Sequence, residues 1–128
     1  MKTFGLAGVL LVLALPVHAS DNAQSAAFEA CAAKAHGATF PLLHCYAQEM
    51  QADEDAMMAI YNAVTAAASD AKSKDYLTAS QAAWTSYRDA WCEATVPRGG
   101  SLARLKLMEC RIAQTARRTA ELKALESR

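Results

Sequence analysis

The sequence predicts an all-α fold: a small, mostly antiparallel bundle of three long helices and one short N-terminal helix, stapled by two disulfides. Glycine and proline are scarce, at five and three residues in 128, while alanine is abundant; this composition favours helices. Apolar residues recur in steps of three and four over long stretches, the period of an amphipathic helix. No stretch alternates apolar and polar residues with the two-residue period of a strand.

The first 19 residues have the pattern of a cleaved secretory leader. Lys2 precedes an apolar run over 4–15, and small residues, Val17 and Ala19, stand at minus three and minus one of a cut after Ala19. The run is shorter than the roughly 20 residues of a membrane span, so a retained anchor is the weaker alternative. We therefore expect an exported chain, periplasmic or secreted, in which residues 20–128 form one domain that does not insert into the membrane.

The charge balance excludes one large class of function. Thirteen basic residues are matched by thirteen acidic ones, and cleavage would remove only Lys2, leaving one net negative charge. A nucleic-acid binder normally carries a clear basic excess. Nucleic acid is therefore not expected as a partner.

The first two helices are joined by a turn at Gly37. The short helix is predicted over 21–36, with Asp21 or Asn22 as its N-cap and Gly37 as its stop. The second covers about 41–68, with Pro41 in its first turn, and a polar segment at 69–75 ends it. Its apolar stripe, in which Asp53 occupies the one polar slot, consists of Leu43, Tyr46, Met50, Met57, Ile60, Val64 and Ala67.

The third helix is predicted over 75–94 and the fourth after Ser101, its expected N-cap. Trp84, Tyr87 and Trp91 share one side of the third helix with Arg88 at the edge, which predicts that the three aromatic residues build the core. A buried Asp53 would need a cation, and Arg88 or Arg111 is the expected partner. The stripe of the fourth helix comprises Leu105, Met108, Ile112, Thr115, Thr119 and Leu122.

Four cysteines remain after the predicted cut, and an even number in a small exported chain indicates two disulfides, with three possible connectivities. Cys31 and Cys45 each lie within roughly 6–8 Å of the first turn at 1.5 Å per residue, so they can stand level and bond. This leaves Cys92 to pair with Cys110, an offset pair whose loop must absorb the difference. The spacings match neither a zinc site nor a Cys-x-x-Cys redox motif.

We identify no catalytic, metal-binding or cofactor-binding residues in the sequence. His36 and His44 lie near the first turn without a third ligand, and the acidic run Asp53, Glu54 and Asp55 lacks the Glu-x-x-His pairs of helical di-iron proteins. The pattern favours a binding or structural module over an enzyme.

The C-terminal half carries a denser motif: Gln-x-x-Trp, aromatic-Arg-Asp-x-x-Cys, Gly-Gly-Ser, a second Cys, and Arg-x-x-x-Leu. These positions are Gln81, Trp84, Tyr87, Arg88, Asp89, Cys92, Gly99, Gly100, Ser101, Cys110, Arg118 and Leu122. The chain resembles the lysozyme inhibitor LprI-like N-terminal domain family. The upstream part fits that family more loosely, through Cys31, Cys45, an acidic residue at Glu54 and an aromatic residue at Tyr61. It departs from that family at Met58, where an asparagine is often found, and it has no cysteine at the predicted cut to carry a lipid.

The resemblance implies binding to lysozyme-type muramidases. We expect the loop Arg98, Gly99, Gly100 and Ser101 to enter the enzyme's cleft, with Asp53, Glu54 and Asp55 as an acidic rim. The alternative is a periplasmic structural or adaptor protein that binds another envelope component.

Overall fold

The computed structural model describes residues 24–127, which form four helices: α1 (Ala26–Ala35), α2 (Thr39–Ala67), α3 (Ala71–Thr95) and α4 (Gly100–Glu126). No strand occurs in this part of the chain. The all-α prediction, with one short helix followed by three long ones, is confirmed. The predicted leader, residues 1–19, lies outside the described residues.

The helix starts differ from those predicted. The N-cap of α1 is Ser25, not Asp21 or Asn22, and its Oγ accepts a hydrogen bond from the Phe28 backbone N–H at 3.1 Å. Asp70 caps α3 in the same way, accepting from the Ser73 N–H at 2.8 Å. A serine or aspartate immediately before a helix satisfies an otherwise unpaired backbone donor. The cap at Asp70 makes the turn before α3 shorter than the predicted 69–75.

The turns before α2 and α4 use left-handed backbone conformations. His36 has φ 47° and Gly37 has φ 76°, so α1 ends at the predicted glycine stop. Gly99 has φ 92° and is the N-cap of α4, whereas Ser101, the predicted cap, already lies inside the helix. A positive φ is accessible to glycine without the steric cost that a side chain brings.

Consecutive helices run antiparallel, which leaves α2 and α4 parallel and side by side. Tyr46 of α2 donates to Glu109 of α4 at 2.7 Å. Further along, Arg88 of α3 reaches both Glu54 of α2 and Thr115 of α4. The residue numbers on α2 and α4 thus rise together, and the buried residues on their facing stripes are Met50, Met57, Val64, Leu105, Thr115 and Leu122.

The apolar core at one end of the bundle is built without α3. Phe28 of α1, Cys45 and Tyr46 of α2 and Leu105 of α4 form its buried cluster, and the Phe28 and Tyr46 rings lie 4.7 Å apart. Partly buried apolar residues around it are Cys31, Ala32, Leu42, Leu43, Met108 and Ile112. The short helix α1, rather than α3, thus completes the apolar core at this end of the bundle.

Both predicted disulfides are confirmed. Cys31 and Cys45 have their Cα atoms 5.7 Å apart, and so do Cys92 and Cys110. Cys110 lies further from the start of α4 than Cys92 lies from the end of α3. The two can still bond because the first turns of α4 precede its contact with α3. Cys110 lies about 15 Å into α4 at 1.5 Å per residue, so the first turns of α4 project past the end of α3 and pack on the α1–α2 hairpin.

The buried face of α3 is polar, which corrects the sequence prediction. Its buried residues are Gln81, Arg88 and Cys92. Tyr87 is 52% exposed and Trp91 46% exposed, and their rings stack on the surface at 6.0 Å. The aromatic residues do share one side of the helix, but that side faces outward, and only Trp84 is half-buried.

Candidate functional site

Arg88 is the centre of a polar cluster between α2, α3 and α4. Its Nη1 donates to Glu54 at 2.6 Å and its Nε to Asp89 at 2.9 Å. Nη1 also lies 3.4 Å from the hydroxyl of Thr115, which is fully buried. Because only 7% of Arg88 is exposed, these bonds replace water around its charge.

The prediction that Asp53 pairs with Arg88 was wrong, since Glu54 takes that place. Residues 53 and 54 flank the buried stripe between Met50 and Met57, and it is Glu54 that faces α3. Burial alone would lower the pKa of Arg88, but its hydrogen bonds to Asp89 and Glu54 raise that pKa above its ordinary value. The guanidinium group is therefore charged at every physiological pH.

A second arginine, Arg118 of α4, completes the attachment of α3. Its Nε donates to the Gln81 side-chain oxygen at 3.1 Å, its Nη2 to the Ser80 hydroxyl at 2.9 Å and its Nη1 to Glu121 at 2.9 Å. The Cζ atoms of Arg88 and Arg118 lie 5.1 and 6.0 Å from the ring centroid of Trp84, within the range of cation–π attraction. The motif residues Gln81, Trp84 and Arg88 thus join three helices.

Arg111, the other predicted partner of Asp53, lies instead beside α3. Its Nε is 3.4 Å from Asp89 and its Nη2 is 3.5 Å from Glu93. The Nε atom is buried and finds no well-oriented acceptor among the described residues. Asp89 is therefore shared between two arginines, Arg88 and Arg111.

Asp53 instead lies near another carboxylate, that of Glu49. Glu49 is buried and accepts hydrogen bonds from both the backbone N–H, at 2.7 Å, and the hydroxyl of Ser25. Desolvation and then the charge of Glu49 raise the pKa of Asp53 above its ordinary value of 3.8. The role of Glu49 was not predicted from the sequence, although residues 46, 49, 50 and 53 share one helix face by spacing.

Because of this raised pKa, the change Asp53→Asn should stabilise the protein at neutral pH. A carboxyl group whose pKa is raised by folding destabilises the folded protein when it is ionised. This destabilisation is absent below pH 3.8, where the carboxyl group is protonated in both the folded and the unfolded protein. We expect a melting temperature about 1–3 °C higher at pH 7, the effect of a few tenths of a kcal/mol, and a smaller gain at pH 3. Thermal melts at both pH values measure this, with the exposed Asp55→Asn as control. An equal gain for Asp53→Asn at pH 3 would contradict it.

The three predicted rim residues do not share one surface. Asp53 is half-buried, the Glu54 carboxylate binds Arg88, and Asp55 is exposed and accepts from Gln51 at 2.9 Å. Asp55 alone is freely accessible. Any contact of this acidic run with a partner would therefore be made chiefly through Asp55.

The predicted interaction loop is exposed at the end of the bundle near the α1–α2 turn. Arg98, Gly99, Gly100 and Ser101 are all exposed. Beside them Phe40, at the start of α2, is 80% exposed, and a cavity of about 470 Å³ lies between Phe40, Gly100 and Arg104. We call Phe40, residues 98–101 and Arg104 the loop surface; it combines an aromatic ring with two arginines.

The loop surface has a rigid base. Cys92, three residues before the end of α3, is bonded to Cys110 of α4, and Gly99 and Gly100 both have positive φ.

Within residues 24–127 no three His, Cys, Asp or Glu residues are grouped so that they could hold a metal ion. None of the described helices combines the length and apolar character needed to cross a bilayer.

The family comparison agrees with the motif. The family model described as lysozyme inhibitor LprI matches residues 19–122, a range that includes both disulfides, the Arg88 cluster and the loop surface. Neither the curated proteins nor the solved structures gave a match. The match extends over most of the chain, and the protein therefore belongs to the lysozyme inhibitor LprI family.

Proposed function

We propose that this protein is an exported protein-binding module, periplasmic or secreted, that inhibits lysozyme-type muramidases. The observation that carries the proposal is the family match over residues 19–122. Two disulfides and a leader-like N-terminus support an oxidising compartment outside the cytoplasm. Inhibition through binding requires no catalytic group of the inhibitor's own.

The loop surface is the part of the protein best suited to enter a muramidase cleft. Such clefts hold a pair of carboxyl groups flanking the scissile bond, and Arg98 offers a guanidinium group that can bind a carboxylate through two parallel hydrogen bonds. Phe40 adds an exposed aromatic ring of the kind that anchors interfaces. A loop held by a disulfide loses little conformational freedom on binding.

The acidic run has a secondary place in this proposal. Many muramidases are basic, and Asp55 could meet a basic rim of the enzyme by charge complementarity. Asp53 and Glu54 would support that contact only through their electrostatic potential, since Asp53 is half-buried and Glu54 is bonded to Arg88.

The proposal predicts that Arg98→Glu weakens inhibition at least about tenfold, because a buried interfacial charge pair would be replaced by a repulsive one. The measurement is the rate of cell-wall hydrolysis by a c-type lysozyme titrated with micromolar purified protein. Arg117→Glu is the matched control, since it makes the same charge change at an exposed site on α4, more than about 20 Å along the helix from the loop. We expect this control to inhibit like the wild type.

Two results would overturn the inhibitor proposal or its site. If the unaltered protein leaves lysozyme activity unchanged, inhibition is not its function. If Arg98→Glu and Arg117→Glu weaken inhibition equally, the effect is one of overall charge and the loop surface is not the contact.

One observation favours the alternative of an envelope adaptor. Tyr87 and Trp91 form an exposed stacked pair on α3, and exposed aromatic residues are typical centres of protein interfaces. Photo-crosslinking from position 87 in the native compartment tests this alternative. It is supported by capture of one envelope protein other than a muramidase that is lost in Trp91→Ala, and it is rejected if no such adduct forms.

A further inference from the structure

A groove runs between α2 and α3 in the half of the bundle away from the loop surface. Its volume is about 440 Å³, and it is lined by Met57, Met58 and Tyr61 of α2 and by Gln81, Trp84 and Arg88 of α3. This volume lies within the range of small-molecule binding sites, about 300–1,000 Å³. Three of the lining residues, Gln81, Trp84 and Arg88, belong to the family motif, and two more, Glu54 and Tyr61, fit the family loosely. The motif thus forms the wall of a groove as well as the attachment of α3.

The side-chain amide of Gln81 is oriented and incompletely bonded. Gln81 is only 8% exposed, and its oxygen accepts from Arg118 Nε at 3.1 Å. Because arginine only donates, this bond fixes which end of the amide faces Arg118. The amide nitrogen Nε2 is left with the sulfur of Met57 at 3.8 Å, a weak acceptor. A buried amide N–H normally has a good partner, so the groove offers a donor to a ligand carbonyl oxygen.

Glu54 offers the complementary group. Its side chain is 34% exposed, and one carboxylate oxygen binds Arg88 at 2.6 Å. The other oxygen makes no hydrogen bond to the described residues and can accept one from a ligand hydroxyl. The charge of Arg88 is already matched by Glu54 and Asp89, so the groove gives little attraction to an anion.

The geometry points to a neutral sugar bearing an N-acetyl group as the ligand of this groove. The acetamido carbonyl would accept from Gln81 Nε2, and a ring hydroxyl would donate to Glu54. The apolar face of the sugar ring would rest on Trp84 and Tyr61, and the acetyl methyl group on the thioethers of Met57 and Met58. Both arginines at Trp84 hold its ring in place before binding, which reduces the ordering cost.

This site is separate from the loop surface and does not depend on the inhibitor proposal. Arg88 lies ten residues before Arg98, and the groove extends from there toward Thr78 near the start of α3. Loss of sugar binding and loss of muramidase inhibition can therefore be measured independently.

The test is a ¹H–¹⁵N NMR titration of the purified protein with N,N′,N″-triacetylchitotriose. The two tryptophans provide an internal comparison, because the indole N–H signal of Trp84 should shift while that of the exposed Trp91 stays in place; Trp91→Phe assigns the two signals. Cellotriose, which has the same ring linkage without acetamido groups, should bind at least about tenfold more weakly, the loss expected when a buried donor remains unpaired.

The change Gln81→Glu isolates the proposed contact. It keeps an oxygen for Arg118 but replaces the donating nitrogen by an acceptor, so we expect binding of the acetylated sugar to weaken about tenfold or more while the melting temperature does not fall. Trp91→Phe should bind like the wild type. A preserved melting temperature separates lost recognition from lost folding.

Each other outcome overturns the inference. No saturable shift up to about 10 mM sugar means that the groove is not a sugar site. Equal binding of cellotriose removes the role of the acetamido group. Equal binding of N-acetylalanine methylamide, which carries an acetamide but no sugar ring, would identify a peptide site. Loss of binding in Trp91→Phe with retention in Gln81→Glu would move the site to the outer face of α3.

Discussion

Replacing Cys92 and Cys110 together by alanine should lower the free energy of unfolding by about 3 kcal/mol, the value for a closed loop of this length. The two cysteines are 18 residues apart in sequence, and the bridge restricts the unfolded chain correspondingly. The loss corresponds to a fall in melting temperature of more than about 10 °C for a domain of this size. Denaturant unfolding of the oxidised double variant measures it.

The bridge should matter more for α3 than this figure alone indicates. Apart from Cys92, the buried residues of α3 are Gln81 and Arg88, so little apolar area holds the helix to α2 and α4. We expect hydrogen exchange to show the amides of α3 losing protection first, while α2 and α4 remain protected as a sub-globally stable unit.

The matched control is the double change of Cys31 and Cys45 to alanine. Its chain-entropy loss is similar, since the two cysteines are 14 residues apart in sequence, but α1 is also held by Phe28 in the core and by the bonds of Ser25 to Glu49. The exchange of α3 should then be unaffected. If α3 stays as protected as α2 when Cys92 and Cys110 are replaced, the proposed dependence of α3 on the bridge is wrong.

The helices and disulfides could be predicted from the sequence because each depends on local or near-local information. The stripe through Met50, Met57 and Val64 has the helix period, and those three residues are buried. Cys31 and Cys45 lie on either side of one tight turn. The number of residues between each cysteine and the turn therefore determines whether the two cysteines lie level with each other. The N-caps were harder to predict, because several polar residues near each helix start could act as the cap. For α1, the tertiary hydrogen bond of Ser25 to Glu49 selects Ser25.

The inward face of α3 could not be predicted from hydrophobicity alone. Periodicity shows that Tyr87 and Trp91 share a side but not which neighbour, if any, covers it. One signal was available: Cys92 must face α4 to form its disulfide, and Gln81 and Arg88 share its face at spacings of eleven and four residues. The inward face of α3 can be polar because its buried groups are hydrogen-bonded. Arg88 donates to Asp89, and Gln81 accepts from Arg118.

The candidate sites were predictable only in part. The exposure of the loop at 98–101 agrees with its two glycines and with Pro97 before it, but its neighbour Phe40 is 58 residues away in sequence and is brought there by the fold. The side chains of Asp53 and Glu54 project about 100° apart around the axis of α2. A heptad pattern does not resolve which of the two faces Arg88. The groove lies between α2 and α3, which approach each other less closely than α2 and α4 do, and no local pattern encodes that spacing.

Replacing Arg88 by methionine should destabilise the protein by about 2–3 kcal/mol. Removing one member of a buried ion pair costs about 3–5 kcal/mol, because it leaves its partner's charge uncompensated. The cost here is smaller, since the Glu54 and Asp89 side chains are 34% and 42% exposed and water can reach them once the guanidinium is gone. Methionine keeps most of the apolar stem, so the loss reports on the charged group and its three hydrogen bonds.

A double-mutant cycle with Glu54→Gln separates the ion pair from the rest of the cluster. Glutamine retains an oxygen that can accept from Arg88, so the single change should cost about 1 kcal/mol and the coupling between the two positions should also be about 1 kcal/mol. Arg117→Met, at an exposed arginine of α4, should change the stability by less than about 0.5 kcal/mol. If Arg88→Met matched that control, the contacts of Arg88 with Glu54, Asp89 and Thr115 would not be what fastens α3 to α2 and α4. Attachment would then depend on the Cys92–Cys110 bridge and the bonds of Arg118 to Gln81 and Ser80 alone.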